Sequence, residues 1–183
     1  MDKEIRMRLK AYSDAYEAMK KEEKPNIIEN SFAESRKVKL YLARSQDDFL
    51  LAQAVKNLIE NSELKSQLDL PKNYPNLYHW LIIISYYSMY HAATAAIAKK
   101  KIKCETHKAT IASLAKHYGT EEELEFDFIE KLNHIYIDYI ESGREGRQGA
   151  QYDVEKEYTE QEAYKIFEYA KKFVERLQGM LEE

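Results

Sequence analysis

A long apolar stretch runs from Trp80 to Ala98, WLIIISYYSMYHAATAAIA, without an Asp, Glu, Lys or Arg. It is far longer than the ~4–8 residues of a buried strand, and nothing in it breaks a helix. Because nearly every face is apolar or small, the pattern predicts a central core helix that is covered on all sides. A membrane span of about twenty residues is the alternative. Ser85, His91 and the mid-helix aromatic rings disfavour it, so we expect no membrane association.

The rest of the chain shows helical periodicity and no convincing strand alternation, so we expect an all-α protein without a sheet. The last helix carries the clearest apolar stripe, at positions 163, 166, 167, 170, 173, 174, 177, 180 and 181. We predict an up-and-down bundle of four principal helices with an extra N-terminal helix and one short helix. Residues 1–30 form the N-terminal helical extension in this division, and residues 31–183 form the bundle.

Three segments have the pattern of a capping box, in which a Ser or Thr and a Glu three residues later satisfy each other's free backbone donors. They are Ser31 to Glu34, Thr120 to Glu123 and Thr159 to Glu162. Each is expected to begin a helix. The first of these helices is expected to run to about Asn61.

The charge balance excludes a global attraction to nucleic acid. Lys and Arg number 28 and Asp and Glu number 32, which gives a net charge of −4. Binding to RNA would therefore need a local basic patch. The single Cys104 fits a reducing compartment, and residues 1–20 contain no apolar core of a signal peptide, so we expect a cytoplasmic protein.

The segment 143–153, GREGRQGAQYD, is the most site-like stretch of the sequence. Arg144 and Arg147 can bind phosphate or carboxylate with paired N–H groups, and Tyr152 and Asp153 add a hydroxyl and an acid. The alternative is that Arg147 and Asp153 only tie an interhelical loop to the bundle.

A basic cluster near the start of the short helix is the second candidate for phosphate binding. It comprises Lys101, Lys103, His107 and Lys108. The alternative is that these are solvated lysines at helix ends, where the helix dipole favours them. His91, inside the core helix, is better explained as a hydrogen-bonded core residue than as a site residue. No spacing suited to a metal site or a cofactor motif is present, so we expect neither a metal nor a cofactor.

The order of several motifs resembles the HEPN domains, helical modules that accompany minimal nucleotidyltransferases. The resemblance covers about residues 36–181 and rests on several pieces in the same order. These are Ser45 to Ala52 (SQDDFLLA), Tyr86 to Ala93 (YYSMYHAA), Thr106-His107-Lys108, Arg147 to Tyr152, and Ala170 to Val174 (AKKFV).

The resemblance implies an antiparallel bundle, frequent dimers and, in many members, metal-independent RNA cleavage by an Arg followed four to six residues later by a His. Here no His follows Arg144 or Arg147, and Tyr152 stands where the His would be. Tyrosine, with an ordinary pKa near 10, is a poor general base at neutral pH. We therefore expect a binding module with a degenerate ribonuclease motif.

This module is expected to form a homodimer, to pair with a nucleotidyltransferase in a toxin–antitoxin-like system, and to contact RNA. One alternative is an active ribonuclease that uses Arg147 with Tyr152 or His107 as the proton carrier. The other is a structural homodimer with no role in RNA binding. In both the binding module and the active ribonuclease, Arg147, Tyr152 and the basic cluster should face one groove.

Overall fold

The computed structural model describes residues 3–71, 76–119, 126–141 and 158–182. Within them the chain forms eight α-helices, a π-helical segment and two very short strands. The helices are α1 (Lys3–Lys20), α2 (Phe32–Ser35), α3 (Val38–Glu60), α4 (Ser62–Gln67), α5 (Asn76–Lys99), α6 (His107–Tyr118), α7 (Phe126–Ile135) and α8 (Glu160–Glu182). The π-helical segment, Tyr136–Glu141, follows α7 directly.

The predicted bundle is confirmed, with α5 as its central helix. The segment before α2 lies beside the end of α5, where the Ser31 N–H donates to the Lys101 carbonyl at 2.7 Å. α3 runs antiparallel to α8, because Phe49 stacks on Phe167 whereas Lys56, later in α3, lies over Tyr164, earlier in α8. α5 and α8 run parallel, because Tyr78 contacts Glu160 near their starts and the Lys99 ammonium reaches the Met180 carbonyl near their ends.

The small residues of α5 explain how closely its neighbours approach. Ala92, Ala93, Ala95 and Ala96 are all fully buried. The expectation that α5 is covered on every side is wrong at its first turns, because Trp80 is 52% exposed. α5 also contains the described chain's one segment, Leu77–Lys99, that is long and apolar enough to cross a membrane, and 67% of its most apolar window is buried inside the protein.

α8 buries seven of the nine positions of its predicted apolar stripe, while Met180 and Leu181 pack partly buried against the core. Its buried side chains are Ala163, Ile166, Phe167, Ala170, Phe173, Val174 and Leu177. The capping box at its start is also confirmed, because the Thr159 N–H donates to the Glu162 carboxylate at 2.9 Å and the Glu162 N–H donates to the Thr159 hydroxyl at 3.2 Å.

The capping box predicted at Ser31 is wrong. The Ser31 side chain makes no capping hydrogen bond, and α2 ends after four residues. The Glu34 side chain instead accepts from the Lys37 ammonium at 2.6 Å and from the Tyr41 hydroxyl at 2.8 Å. These partners satisfy the carboxylate of a residue that is only 4% exposed, so it is engaged away from the Ser31 backbone. The box predicted at 120–123 lies outside the described residues.

The all-α fold is confirmed, but the expectation that it has no sheet is wrong, because the described residues include a small antiparallel ribbon. It pairs β1 (Ile27–Ile28) with β2 (Lys103–Cys104). The ribbon holds the segment after α1 against the segment before α6. α1 itself packs on α6, where Tyr16 is fully buried and the Lys116 ammonium lies 3.9 Å from the centre of its ring.

Candidate functional site

The His107 stack is a cluster of aromatic rings between α5, α6 and the π-helical segment. The His107 ring lies nearly parallel to Tyr90, with ring centres 4.1 Å apart, and to Tyr136, with ring centres 5.2 Å apart. The hydroxyl of Tyr86, which is fully buried, lies 2.5 Å from His107 Nδ1. We use the name His107 stack for His107, Tyr86, Tyr90 and Tyr136.

Local backbone structure fixes the position of His107. The Thr106 hydroxyl accepts the Ala109 N–H at 3.2 Å, which caps α6 and makes His107 its first residue. Tyr136 reaches the stack from the first position of the π-helical segment. Such segments are rare and occur often at functional sites, because they reorient side chains relative to an α-helix.

Burial shifts the pKa of Tyr86, the tyrosine in contact with His107. It raises the pKa of Tyr86 far above its ordinary value, so the hydroxyl stays protonated at neutral pH. In the tautomer with the ring proton on Nε2 this hydroxyl donates to His107 Nδ1, and in the other tautomer it accepts from Nδ1.

An open pocket of about 510 Å³ lies beside the His107 stack. Its volume falls within the range of small-ligand sites, about 300–1,000 Å³. Its lining residues are Met19, Glu22, Asn26, Glu105, Thr106, His107, Lys108 and Tyr136. Two carboxylates and one lysine contribute to this lining, so its charge is mixed rather than basic.

The structure only partly brings the predicted basic cluster together. His107 and Lys108 line the pocket. Lys103 pairs with Glu105 at 2.6 Å, and this hydrogen bond raises the pKa of Lys103. The Lys101 ammonium lies 4.5 Å from the centre of the Phe32 ring, a cation–π contact.

Lys101 also has a backbone role that its side chain does not reveal. Its φ is 62°, in the left-handed region that usually favours glycine at the end of a helix. The Ile102 N–H returns to the Ile97 carbonyl at 3.2 Å, which closes the end of α5. Lys101 therefore turns the chain from α5 into β2.

The remaining candidates, Arg144, Arg147, Tyr152 and Asp153, lie outside the described residues, and so does the groove that they were expected to share with the basic cluster. Within the described part of the chain, no group of three or more His, Cys, Asp or Glu side chains is placed to hold a metal ion.

His91 is confirmed as a hydrogen-bonded residue. Its Nδ1 lies 2.7 Å from Asp48 Oδ2, and the two side chains are 20% and 28% exposed. The contact joins α5 to α3. Sequence reasoning did not pair these residues, because they are 43 positions apart and neither spacing nor periodicity relates them.

Two of the motifs quoted above contact each other across the bundle, because Ser45 donates to the Ser88 carbonyl at 2.7 Å and Asp48 binds His91. Phe49 of the first motif also stacks on Phe167, three residues before the last motif, with ring centres 5.3 Å apart. The family model of the HEPN domain matches residues 49–180. The chain belongs to the HEPN family. Comparison with curated proteins and with solved structures finds no match.

Proposed function

We propose that this HEPN protein is a binding module that acts as a homodimer beside a nucleotidyltransferase partner, in a toxin–antitoxin-like pair. It contacts RNA through Arg147 but does not cleave it. The family match supports the module, and the missing His after Arg144 and Arg147 argues against turnover.

The observation that carries this proposal is the environment of His107. A general base needs a ring nitrogen within hydrogen-bond reach of the proton that it abstracts. Tyr86 occupies Nδ1 of His107, and the near-parallel rings of Tyr90 and Tyr136 pack against the imidazole. These contacts give His107 a packing role that suffices to explain its presence.

The basic cluster supports the same reading. Lys101 and Lys103 have local partners in Phe32 and Glu105. Neither ammonium is held toward the pocket beside His107. Lys108 is the one lysine of the basic cluster that lines this pocket, so RNA binding in this proposal depends mainly on the arginines of residues 143–153.

One observation favours the alternative of an active ribonuclease. His107 and Tyr136 both line the open pocket, and Tyr136 begins the π-helical segment that leads toward residues 143–153. In this alternative Arg147 would stabilise the phosphorane, while His107 or Tyr152 would carry the proton from the 2′-hydroxyl.

Binding and cleavage of an RNA panel by the wild type and by Arg147→Ala test the proposal. We expect Arg147→Ala to weaken binding by about 1–3 kcal/mol, the value of a lost bidentate phosphate contact. Binding should also fall steeply as salt rises, because phosphate contacts release counterions. Arg36→Ala, which removes an exposed arginine at the turn between α2 and α3, is the control.

Turnover decides between the two functions. The proposal expects no cleavage by the wild type at any salt concentration that supports binding. Cleavage by the wild type that is lost in Arg147→Ala at unchanged stability would establish the ribonuclease. Tyr152→His restores the spacing of the catalytic motif, and a gain of cleavage in this variant would indicate that the site is degenerate rather than absent.

Purification of the native protein with whatever it binds tests the partner. We expect a nucleotidyltransferase to accompany it in a fixed ratio. Recovery of RNA without a protein partner would contradict the pairing.

A further inference from the structure

The outward face of α3 carries a stripe of exposed residues that the bundle does not cover, with two charged positions between apolar ones. Its positions recur at alternating spacings of four and three, the a/d pattern of helices that pair along their length. The α3 stripe consists of Leu40, Arg44, Asp47, Leu51 and Ala54. Leu40 and Leu51 are each 53% exposed, and Leu50 beside them is 67% exposed.

The opposite face of α3 already forms its share of the core. Ser45, Ala52 and Ile59 are its buried residues, and they recur at intervals of seven. The same helix thus has two faces with heptad spacing, one packed on α5 and α8 and one exposed. Exposed apolar patches of this kind often mark protein–protein contacts.

The two charges in the middle of the α3 stripe indicate which partner fits it. Arg44 and Asp47 have opposite charge and are both exposed. Neither forms a hydrogen bond or an ion pair with another residue in the described ranges. In an antiparallel pairing of two α3 helices, one register places Arg44 of each copy opposite Asp47 of the other.

The same register aligns the apolar positions. With Arg44 opposite Asp47, residue numbers facing each other sum to 91, so Leu40 lies opposite Leu51. A twofold axis repeats both pairs, as an interface between identical copies requires. On one flank of the stripe, the large exposed Leu50 approaches the small exposed Ala43 of the second copy. α3 has 23 residues and is about 35 Å long at 1.5 Å per residue, enough for these layers.

We propose that the α3 stripe is a homodimer interface, in which two α3 helices pair antiparallel with Leu40 against Leu51 and Arg44 against Asp47. This interface rests on the homodimer of the proposed function, and it specifies which face of the chain forms the dimer and in which register the two helices pair. The partner is a second copy of this chain, because in this register the stripe is complementary to itself in charge and places Leu40 opposite Leu51.

A charge reversal tests the face. Arg44→Glu places like charges opposite each other twice per dimer, and we expect the dimer dissociation constant to rise by about a hundredfold or more, measured by sedimentation. Asp47→Lys should have the same effect. The double variant Arg44→Glu/Asp47→Lys restores both pairs with their signs exchanged and should return the dissociation constant to within about tenfold of the wild-type value. Lys171→Glu makes the same charge change at an exposed position of α8 and should leave the dissociation constant unchanged.

Cysteine cross-linking tests the register. Leu40→Cys/Leu51→Cys should form a covalent dimer under mild oxidation, while either single variant should not. Residues 40 and 51 are about 16 Å apart along one helix, so in this register neither faces its own copy. The native Cys104 is not on this face and contacts Ser113.

The outcomes separate this inference from the proposed function. A wild-type protein that stays at 21.6 kDa throughout the micromolar range would overturn both the homodimer and its interface. A wild-type dimer that Arg44→Glu does not weaken would overturn only the α3 interface. The same conclusion would follow if Arg44→Glu left the dimer intact and abolished binding of a nucleotidyltransferase. Efficient cross-linking by Leu51→Cys alone would overturn the register.

Discussion

Replacement of His107 by alanine should destabilise the fold rather than only change a binding site. The variant removes the ring that packs against Tyr90 and Tyr136 and the nitrogen that pairs with the Tyr86 hydroxyl. Tyr86 is fully buried, so its hydroxyl would lose this protein partner, which water from the adjacent open pocket would replace only in part.

The magnitude follows from these contacts. A buried hydroxyl left without a partner costs about 1–3 kcal/mol. Each aromatic contact contributes about 0.5–1.5 kcal/mol beyond burial, although solvent in the adjacent open pocket replaces part of it. We expect a loss of about 2–4 kcal/mol in the free energy of unfolding. For a domain of this size that corresponds to about 5–15 °C in Tm.

Urea denaturation and thermal melts followed by circular dichroism provide the assay. His134→Ala is the matched control, because the His134 side chain is 59% exposed and its loss should change the free energy of unfolding by less than about 0.5 kcal/mol. Tyr86→Phe keeps the ring and removes only the hydroxyl, so it should cost about 1 kcal/mol. If His107→Ala has the same melting temperature as His134→Ala but no longer binds RNA, then His107 faces a ligand and the packing argument is wrong.

Two further predictions concern polar contacts at helix starts. Burial opposes ionisation of Glu34, but the hydrogen bonds from Lys37 and Tyr41 outweigh it and hold its pKa below the ordinary value. The stability from ionised Glu34 is therefore present above the ordinary carboxyl pKa and is lost as pH falls through the lowered one. Glu34→Gln should cost about 1–2 kcal/mol at neutral pH and flatten the acid limb of a stability–pH curve, and an unchanged acid limb would refute this. Thr159→Ala should cost about 1 kcal/mol in urea denaturation through loss of the capping box with Glu162, whereas Thr159→Ser should cost little.

The sequence predicts the bundle well where one dominant pattern decides the structure. The apolar run of α5 has no rival interpretation as a strand, and its alanines are buried as expected. The stripe of α8 is equally unambiguous, because the residues from Ala163 to Leu177 that recur at helical spacing are the buried ones.

Prediction fails where a local signal competes with a tertiary contact. Ser31 and Glu34 have the spacing of a capping box, yet the Glu34 carboxylate binds Lys37 and Tyr41. The ribbon of β1 and β2 escapes prediction for a different reason. Each strand has two residues, too few to show an alternating pattern.

The candidate site is the least predictable part, because its contacts connect distant positions. His107 was selected for its charge beside several lysines, but its environment comes from Tyr86 and Tyr90 on α5 and from Tyr136 after α7. Periodicity places each tyrosine on a helix and gives no register between helices. The signal that could have found the stack is the co-occurrence of YYSMYH with Thr106-His107-Lys108, which the resemblance noted without a physical reason.

The contacts now supply that reason, and they change what the resemblance can support. Asp48 and His91 join α3 to α5, Phe49 and Phe167 join α3 to α8, and His107 joins α6 to α5. These contacts hold the helices of the bundle together whether or not the protein cleaves RNA. The motifs therefore argue for the fold and leave catalysis to the segment with Arg147. Substitutions at these interhelical contacts should therefore lower the free energy of unfolding. Arg147→Ala should lower the RNA affinity and leave the free energy of unfolding unchanged. A double variant should show both changes, each of the size seen in the single variant.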